Sequence, residues 1–366
     1  MRRYGKHTDE DDVRIRPNRR GSRPRTRRRP KHEDAAVGFV LTVDRGRITC
    51  LVEDRTVTAM KARELGRKSV VVGDRVAVVG DLSGRKDTLA RIVRVEERSS
   101  VLRRTADDDD PMERVVVANA DQLAIVTALA DPEPRPRLID RCLVAAYDAG
   151  LEPLLILTKA DLAPAEPLLA TYAPLGIRHV VTSVGRFTPG TGREPAAPDG
   201  AGGAGGGEGG EGTGAADAAA RAAVERVREL LIGRVTAFVG HSGVGKTTLV
   251  NALVPDRQRA TGNVNAVTGR GRHTTVSALA LPLPGAPGWV IDTPGVRSFG
   301  LHHVEPSRVV QAFPDLEPGT VGCPRACSHD EPDCALDAWV AEGHAEPARL
   351  ASLRRLLATR ERREGD

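Results

Sequence analysis

Apolar and polar residues alternate in short runs between residues 36 and 98. GFVLTV (38–43), RITCLVE (47–53), SVVVGDRVAVVG (69–80) and LARIVRVEER (89–98) each put apolar side chains on one face of a strand. The runs recur about every ten residues with Gly and Asp turns between them, which predicts a small all-β barrel. The VVGDRVAVV hairpin fits a five-stranded barrel of the OB type, a fold that commonly binds RNA. Phe39 is the one aromatic in this stretch. RNA binding here would rest on backbone and charge contacts more than on stacked bases. Taken alone, the segment fits a purely structural barrel equally well.

From residue 114 the pattern changes to alternating strands and helices. RVVVANADQLAIVTAL (114–129) reads as a strand pair or one extended strand, and RLIDRCLVAAYDAG (137–150) as a helix with a Gly stop. EPLLILTKADL (152–162) is a buried strand running into a loop, and IRHVVTS (177–183) is another strand. Residues 190–214 are rich in Gly, Pro and Glu and read as a flexible insertion. A helix over 215–231, a strand RVTAFVG (234–240), a helix over 246–253 and a last strand GWVIDTPG (288–295) complete the series. This alternation predicts a doubly wound, mostly parallel sheet. It stops after Phe299, where helical segments take over. The last of these, 347–363, carries an Arg face that is either solvated or a second RNA contact.

Composition narrows the setting. Hydrophobic residues make up 40% of the 366 and aromatics only 3%, so the cores are built from Val, Leu, Ala and Ile. No apolar run reaches the roughly 20 residues of a membrane helix, and the charged N-terminus lacks a secretory pattern. A cytoplasmic, soluble protein without a membrane partner is expected. The net charge of +5 is concentrated at one end: residues 1–32 hold 13 Lys/Arg against 4 Asp/Glu. Arg19, Arg20, Arg23, Arg25 and Arg27 to Arg29 alternate with Pro and Gly, which predicts a disordered basic tail. Such a tail suits RNA phosphates, or serves only solubility.

Four motifs carry chemistry, and their order is unusual. TKAD (Thr158, Lys159, Ala160, Asp161) comes first. GHSGVGKTT (Gly240, His241, Ser242, Gly243, Val244, Gly245, Lys246, Thr247, Thr248) follows, then HTT (His273, Thr274, Thr275) and DTPG (Asp292 to Gly295). The glycines of the second motif let backbone N–H groups turn around phosphates at a helix N-terminus. Lys246 would reach the β- and γ-phosphates, and Thr247 would hold Mg²⁺. Asp292 would reach Mg²⁺ through water, and the Gly295 N–H would meet the γ-phosphate. Thr275 is the residue expected to close on Mg²⁺. Asp161 would accept from guanine N1–H and the exocyclic amine, with the Lys159 stem on the base and Ser183 as a further base contact. Val296 follows Gly295, where many GTPases carry a Gln that orients water. His273 is the candidate to replace it, or else a structural or RNA-facing loop residue. In an ordinary GTPase the phosphate loop comes first and the guanine reader last. Here the reader precedes by about eighty residues, a circular permutation.

The five cysteines divide in two groups. Cys50 and Cys142 stand alone and read as small buried hydrophobes. Cys323, Cys327, His329 and Cys334 form C-x3-C-x-H-x4-C, a set suited to a structural, tetrahedral zinc ion.

Together these residues resemble the ribosome small-subunit-dependent GTPase family RsgA, also called YjeQ, over roughly residues 36–358. The likeness rests on the β-barrel, ERSSVLRRT (97–105), VANAD (117–121), TKADL, GHSGVGKTTLVN, RHTT, DTPGVRSFG (292–300) and the Cys3His cluster. It implies an N-terminal OB domain, a circularly permuted P-loop GTPase domain and a C-terminal zinc-binding helical domain. The expected division is a tail (1–35), OB domain (36–112), GTPase domain (113–300) and zinc domain (301–366). The resemblance implies late maturation of the 30S subunit, contact with its 16S rRNA, and GTP hydrolysis to GDP stimulated by that subunit, in a monomeric protein. Three features depart from the family pattern: Thr158 stands for the usual Asn, each interval in the Cys3His cluster flanking C-x-H is one residue shorter, and the Gly-rich insertion and Arg-rich tail lie outside the resemblance. A non-catalytic nucleotide-sensing RNA-binding module and a general P-loop ATPase are the competing readings.

Overall fold

The computed structural model describes residues 32–44, 46–66, 70–105, 113–183, 211–255, 278–293, 301, 303–325 and 327–361. The basic tail, most of the Gly-rich insertion, His273, Thr274, Thr275 and Gly295 lie outside them. The chain divides into units 1–34 and 35–366, and the second carries the described elements.

Five strands form the barrel: β1 Ala36–Asp44, β2 Arg47–Val52, β3 Arg55–Lys61, β4 Arg75–Gly80 and β5 Ala90–Val95. They run in the order β1-β2-β3-β5-β4, and β4 closes onto β1. Only the β3–β5 pair is parallel. This is the Greek-key closure of an OB barrel. Val40, Cys50, Val57, Val76, Val78 and Ile92 fill it, each fully buried. Burial pushes the Cys50 thiol up to about 12, so it behaves as an apolar group. The run 69–80 is not the expected hairpin: among its described residues only β4 is a strand, and Val72 makes an isolated bridge to Val117 instead. Gly73 turns with φ +90°, and a Cβ there would sit 2.0 Å from the Ala118 carbonyl oxygen. Only glycine fits that approach, so β4 begins after it.

A hairpin of β6 Val101–Thr105 and β7 Glu113–Ala118 leads to the main sheet. That sheet contains β8 Gln122–Ala128, β9 Glu152–Thr158, β10 Arg178–Val181, β11 Val235–Val239, β12 Leu279–Pro282 and β13 Trp289–Asp292. Its order is β10-β9-β8-β11-β13-β12, parallel except for β12. Helices α1 Pro136–Asp148, α2 Glu166–Tyr172, α3 Glu211–Leu231 and α4 Lys246–Leu253 connect the strands. The helix read from residue 215 thus begins at Glu211. β8 shows why its sequence reads as a continuous apolar run. Leu123 and Ile125 face a core with Ile139 and Leu143 of α1, whereas Ala124 and Val126 face one with Val227 of α3 and Leu249 of α4. Both faces are buried, as in parallel sheets generally.

β1 also pairs with β12 through Thr42 and Leu279, which joins barrel and main sheet into eleven strands. Phe39 spends its ring on this junction. It packs against Trp289 with centroids 4.8 Å apart, so the ring contacts the main sheet from the barrel. Asn119 adds polar ties: its amide donates to the Gly73 carbonyl at 2.9 Å and its carbonyl accepts from Ser99 N–H at 2.8 Å.

Short helices Pro306–Val310 and Ala335–Ala341 and a longer one, Pro347–Glu361, form the C-terminal part. Three arginines of the last helix have structural partners. Arg349 bonds Asp315 at 2.6 Å, Arg354 bonds Asp337 at 2.7 Å, and Arg355 lies 3.2 Å from Asp140 of α1. Leu353 and Leu356 join the α1 core. At these three positions the Arg face read as solvated or RNA-facing instead clamps the helix to its neighbours.

Candidate functional site

Parallel strands bring the motifs to one edge. Ala128 of β8 pairs with Thr158 of β9, Ile125 pairs with Val239 of β11, and Phe238 pairs with Asp292 of β13. TKAD, the phosphate-loop motif and Asp292 therefore all leave the C-terminal edge of the sheet, where open α/β folds bind ligands.

Gly240 to Gly245 bridge β11 and α4. A Cβ on Gly240 would lie 2.5 Å from the Val126 carbonyl, so the loop begins pressed onto β8. Gly243 and Gly245 take φ of +85° and +86°, the left-handed conformation that turns successive N–H groups to one side. Lys246 and Asp292 are both buried and form an ion pair. The same ammonium donates to the Thr293 carbonyl at 2.6 Å. Thr293 is held in turn by its hydroxyl, which donates to the Phe238 carbonyl at 2.6 Å. Thr247 is exposed at the first turn of α4, and Ser242 is exposed at the loop tip. The His241 ring lies half-buried, with Nδ1 2.9 Å from the Ser242 carbonyl oxygen.

Thr158 is buried at the end of β9, and its hydroxyl donates to the Val244 carbonyl at 2.6 Å. The segment that carries Asp161 is thereby tied to the phosphate loop, a link the sequence did not reveal. Lys159 follows with φ +57° and bonds the Asp131 carbonyl. The Ala160 N–H donates to the Thr182 carbonyl at 3.3 Å. Asp161 is exposed, and Ser183 is half-buried at the neighbouring end of β10.

In the C-terminal part, Cys323, Cys327, His329 and Cys334 offer ligand atoms that all lie within 4.8 Å of one another. Cys323 Sγ is 3.6 Å from His329 Nδ1 and 3.9 Å from Cys334 Sγ, and Cys334 Sγ is 3.9 Å from the same nitrogen. Those separations are short enough for the atoms to share one metal ion. Burial is the main reason the His329 imidazole is held below its usual pKa, which favours the neutral ligand form. Glu331 carries no signal in the sequence pattern. Its carboxylate accepts from Ser328 N–H at 2.8 Å and from Cys327 at 3.2 Å, closing the ligand loop. Arg354 donates to the His329 carbonyl at 2.7 Å from the last helix. The donor set fits a closed structural metal site.

The permuted strand order, the phosphate loop and the sheet edge define a class: this is a circularly permuted P-loop GTPase. A model of the family described as RsgA GTPase matches residues 95–188 and 212–302. The chain belongs to that family and is a GTP hydrolase. It is 34% identical to the small ribosomal subunit biogenesis GTPase RsgA of Chlorobaculum parvum, over 88% of this chain and 94% of that one. With the protein of the same name from Azotobacter vinelandii it shares 37% identity, over 80% of this chain and 75% of that one. The fold is that of YjeQ from Thermotoga maritima, with a TM-score of 0.59 at 23% identity over 90% of this chain and 99% of that chain. The circularly permuted GTPase YloQ gives a TM-score of 0.57 at 19% identity, over 91% and 98%. Among the described residues no helix is long and apolar enough to cross a membrane.

Proposed function

We propose that this GTPase acts in late maturation of the small ribosomal subunit, docking on 16S rRNA and leaving when GTP is hydrolysed. The observation that carries the reading is the convergence of TKAD, the phosphate loop and Asp292 on one sheet edge in a chain whose barrel is joined to that sheet. Asp161 reads guanine with Lys159 and Ala160 beside the base and Ser183 behind it. Gly240 to Thr248 wrap the phosphates, and Lys246 neutralises charge as the γ-phosphate leaves. Thr247, Thr275 and Asp292 serve Mg²⁺; Gly295 senses the γ-phosphate and His273 orients water. Lys246 would exchange Asp292 for phosphate on nucleotide binding, which would free the Asp292 carboxylate to reach Mg²⁺ through water. Zinc is the metal of the Cys3His set and acts as a staple. The protein works as a cytoplasmic monomer, divided into the tail, OB, GTPase and zinc domains bounded at residues 35, 112 and 300.

The barrel face supports RNA docking. Arg47, Met60 and Arg91 form one cross-strand row over β2, β3 and β5, and Thr49 pairs with Thr58 in the next. Arg47 and Arg91 are exposed and Met60 is 46% exposed. Cations beside short hydroxyl side chains suit phosphate and 2′-hydroxyl contacts. GTP turnover with and without purified small subunits tests the proposal. Turnover rises with subunits and the rise collapses with added salt. An unchanged turnover in a chain that still binds GTP would refute it.

A further inference from the structure

We propose that His241 is a positioning residue of the phosphate loop: its imidazole holds the Ser242 carbonyl outward and so turns the Gly243 N–H toward the phosphates of a bound nucleotide. The inference rests on the nucleotide-site reading above and adds the side chain that sets one peptide of that site.

A carbonyl oxygen can only accept, so the His241 Nδ1 that lies 2.9 Å from the Ser242 oxygen carries the proton. In a trans peptide the C=O and the N–H that follows it point in opposite directions. Pinning the Ser242 oxygen on one side therefore fixes the Gly243 N–H on the other. The arrangement recurs two residues on. There the Val244 carbonyl accepts from the Thr158 hydroxyl at 2.6 Å, and the N–H of that peptide belongs to Gly245. Gly243 and Gly245 are the two residues of the loop with positive φ, at +85° and +86°. Each left-handed glycine thus follows a carbonyl that a side chain holds. Glycine turns either way at little steric cost, so the glycines permit this loop without choosing the direction of its peptides. At 242–243 the choice falls to His241. Without that donor the Ser242 carbonyl can swing inward, where it would face phosphate oxygens as one acceptor against others. The fold holds the ring in place for this task. It is half-buried and lines a cavity between β8 and α1 with Val126, Pro132, Leu138 and Ile139, with Glu133 and Arg135 beside them.

The test is the affinity of the full chain for fluorescent GDP and GTP analogues, measured for wild type, H241N and H241L. Asparagine carries its amide nitrogen as many bonds from Cα as Nδ1, so it keeps the donor. Leucine fills similar space and has none. H241L weakens both nucleotides about fivefold, the worth of one net hydrogen bond, and H241N stays within about twofold of wild type. Nitrogen-15 NMR of the histidine-labelled chain gives a reading independent of binding. At alkaline pH, where the ring is neutral, the resonance that H241N removes shows a proton on Nδ1 and none on Nε2. H241L at wild-type affinity, H241N folded yet fivefold weaker than wild type, or a bare Nδ1 overturns the proposal. Should H241L fail to fold, H241N and the tautomer decide. A wild-type chain that binds neither analogue would instead overturn the nucleotide-site reading.

Discussion

Arg98 grips Asp74 with two parallel bonds, Nε to Oδ1 at 2.7 Å and the terminal nitrogen to Oδ2 at 2.8 Å. Asp74 is fully buried just before β4, and Arg98 lies in the segment that leads from the barrel to the hairpin. The Val71 N–H adds a third bond to the carboxylate at 2.8 Å. With Asn119 on Gly73, this pair fixes the barrel to the β6–β7 hairpin and the strand beyond it. Arg98→Ala strands a buried carboxylate and is expected to cost about 3 kcal/mol. Replacing both partners by Leu is expected to cost less than that single change. Chemical denaturation of the three proteins decides; equal stability of R98A and wild type would show that the pair contributes nothing.

Lys246→Ala lowers GTP affinity or turnover on the order of a hundredfold, the usual cost of losing one preorganised phosphate contact. Asp161→Asn lowers affinity for GTP relative to ATP, because the carboxylate that accepts two guanine donors is gone. Competition binding measures both effects. An unchanged GTP/ATP ratio in D161N would place guanine recognition elsewhere.

The purified chain is expected to hold one zinc ion, read by elemental analysis. Cys334→Ser leaves three ligands and lowers zinc content. It also brings earlier thermal unfolding of the helices around it, since closed zinc sites contribute folding energy. A zinc-free chain with an intact, equally stable C-terminal part would contradict the staple.

Asp140 ties α1 to Arg355, and burial, more than Arg355 opposes it, holds its carboxyl above the usual 3.8. The folded state therefore binds this proton more tightly than the unfolded state. The contribution of the group to stability is fully present below 3.8 and is lost as pH rises through the raised folded value. Relative to Asp140→Asn, the wild type gains stability as pH falls through that window. Unfolding curves of both proteins across it give the difference; a gap that widens with rising pH would reverse the sign.

Arg47→Glu with Arg91→Glu weakens subunit stimulation of GTP turnover. It also makes binding less salt-dependent, by a slope of about one per lost phosphate contact. Basal turnover and nucleotide affinity measured without subunits provide the control. Unaltered stimulation would move the RNA contact off this face.

Local signals made much of this molecule readable. Alternation in 38–53 and the apolar run of β9 are short-range consequences of which faces are buried, so they announce strands directly. Gly240 to Lys246 announces a phosphate loop because only that glycine spacing permits its backbone. Four metal-type ligands within twelve residues announce a metal site for the same reason. Pairings between distant residues could not be read this way. Phe39, the one aromatic of the barrel stretch, is packed on Trp289. Arg355 looked like a surface charge and belongs to Asp140, 215 positions earlier in the chain. Gly73 reads as the turn of a hairpin, but Val72 before it bridges Val117 of β7.

The sequence by itself determined the chemistry and its unusual order: a base reader, then a phosphate loop, then the carboxylate of Asp292. Each is a local pattern whose residues work within a few positions of one another. Tertiary structure alone decided that these patterns share one sheet edge and that β1 joins β12. It also decided that the Thr158 hydroxyl meets Val244. Those outcomes depend on strand order and on ångström-scale reach across the sheet, which no spacing along the chain encodes.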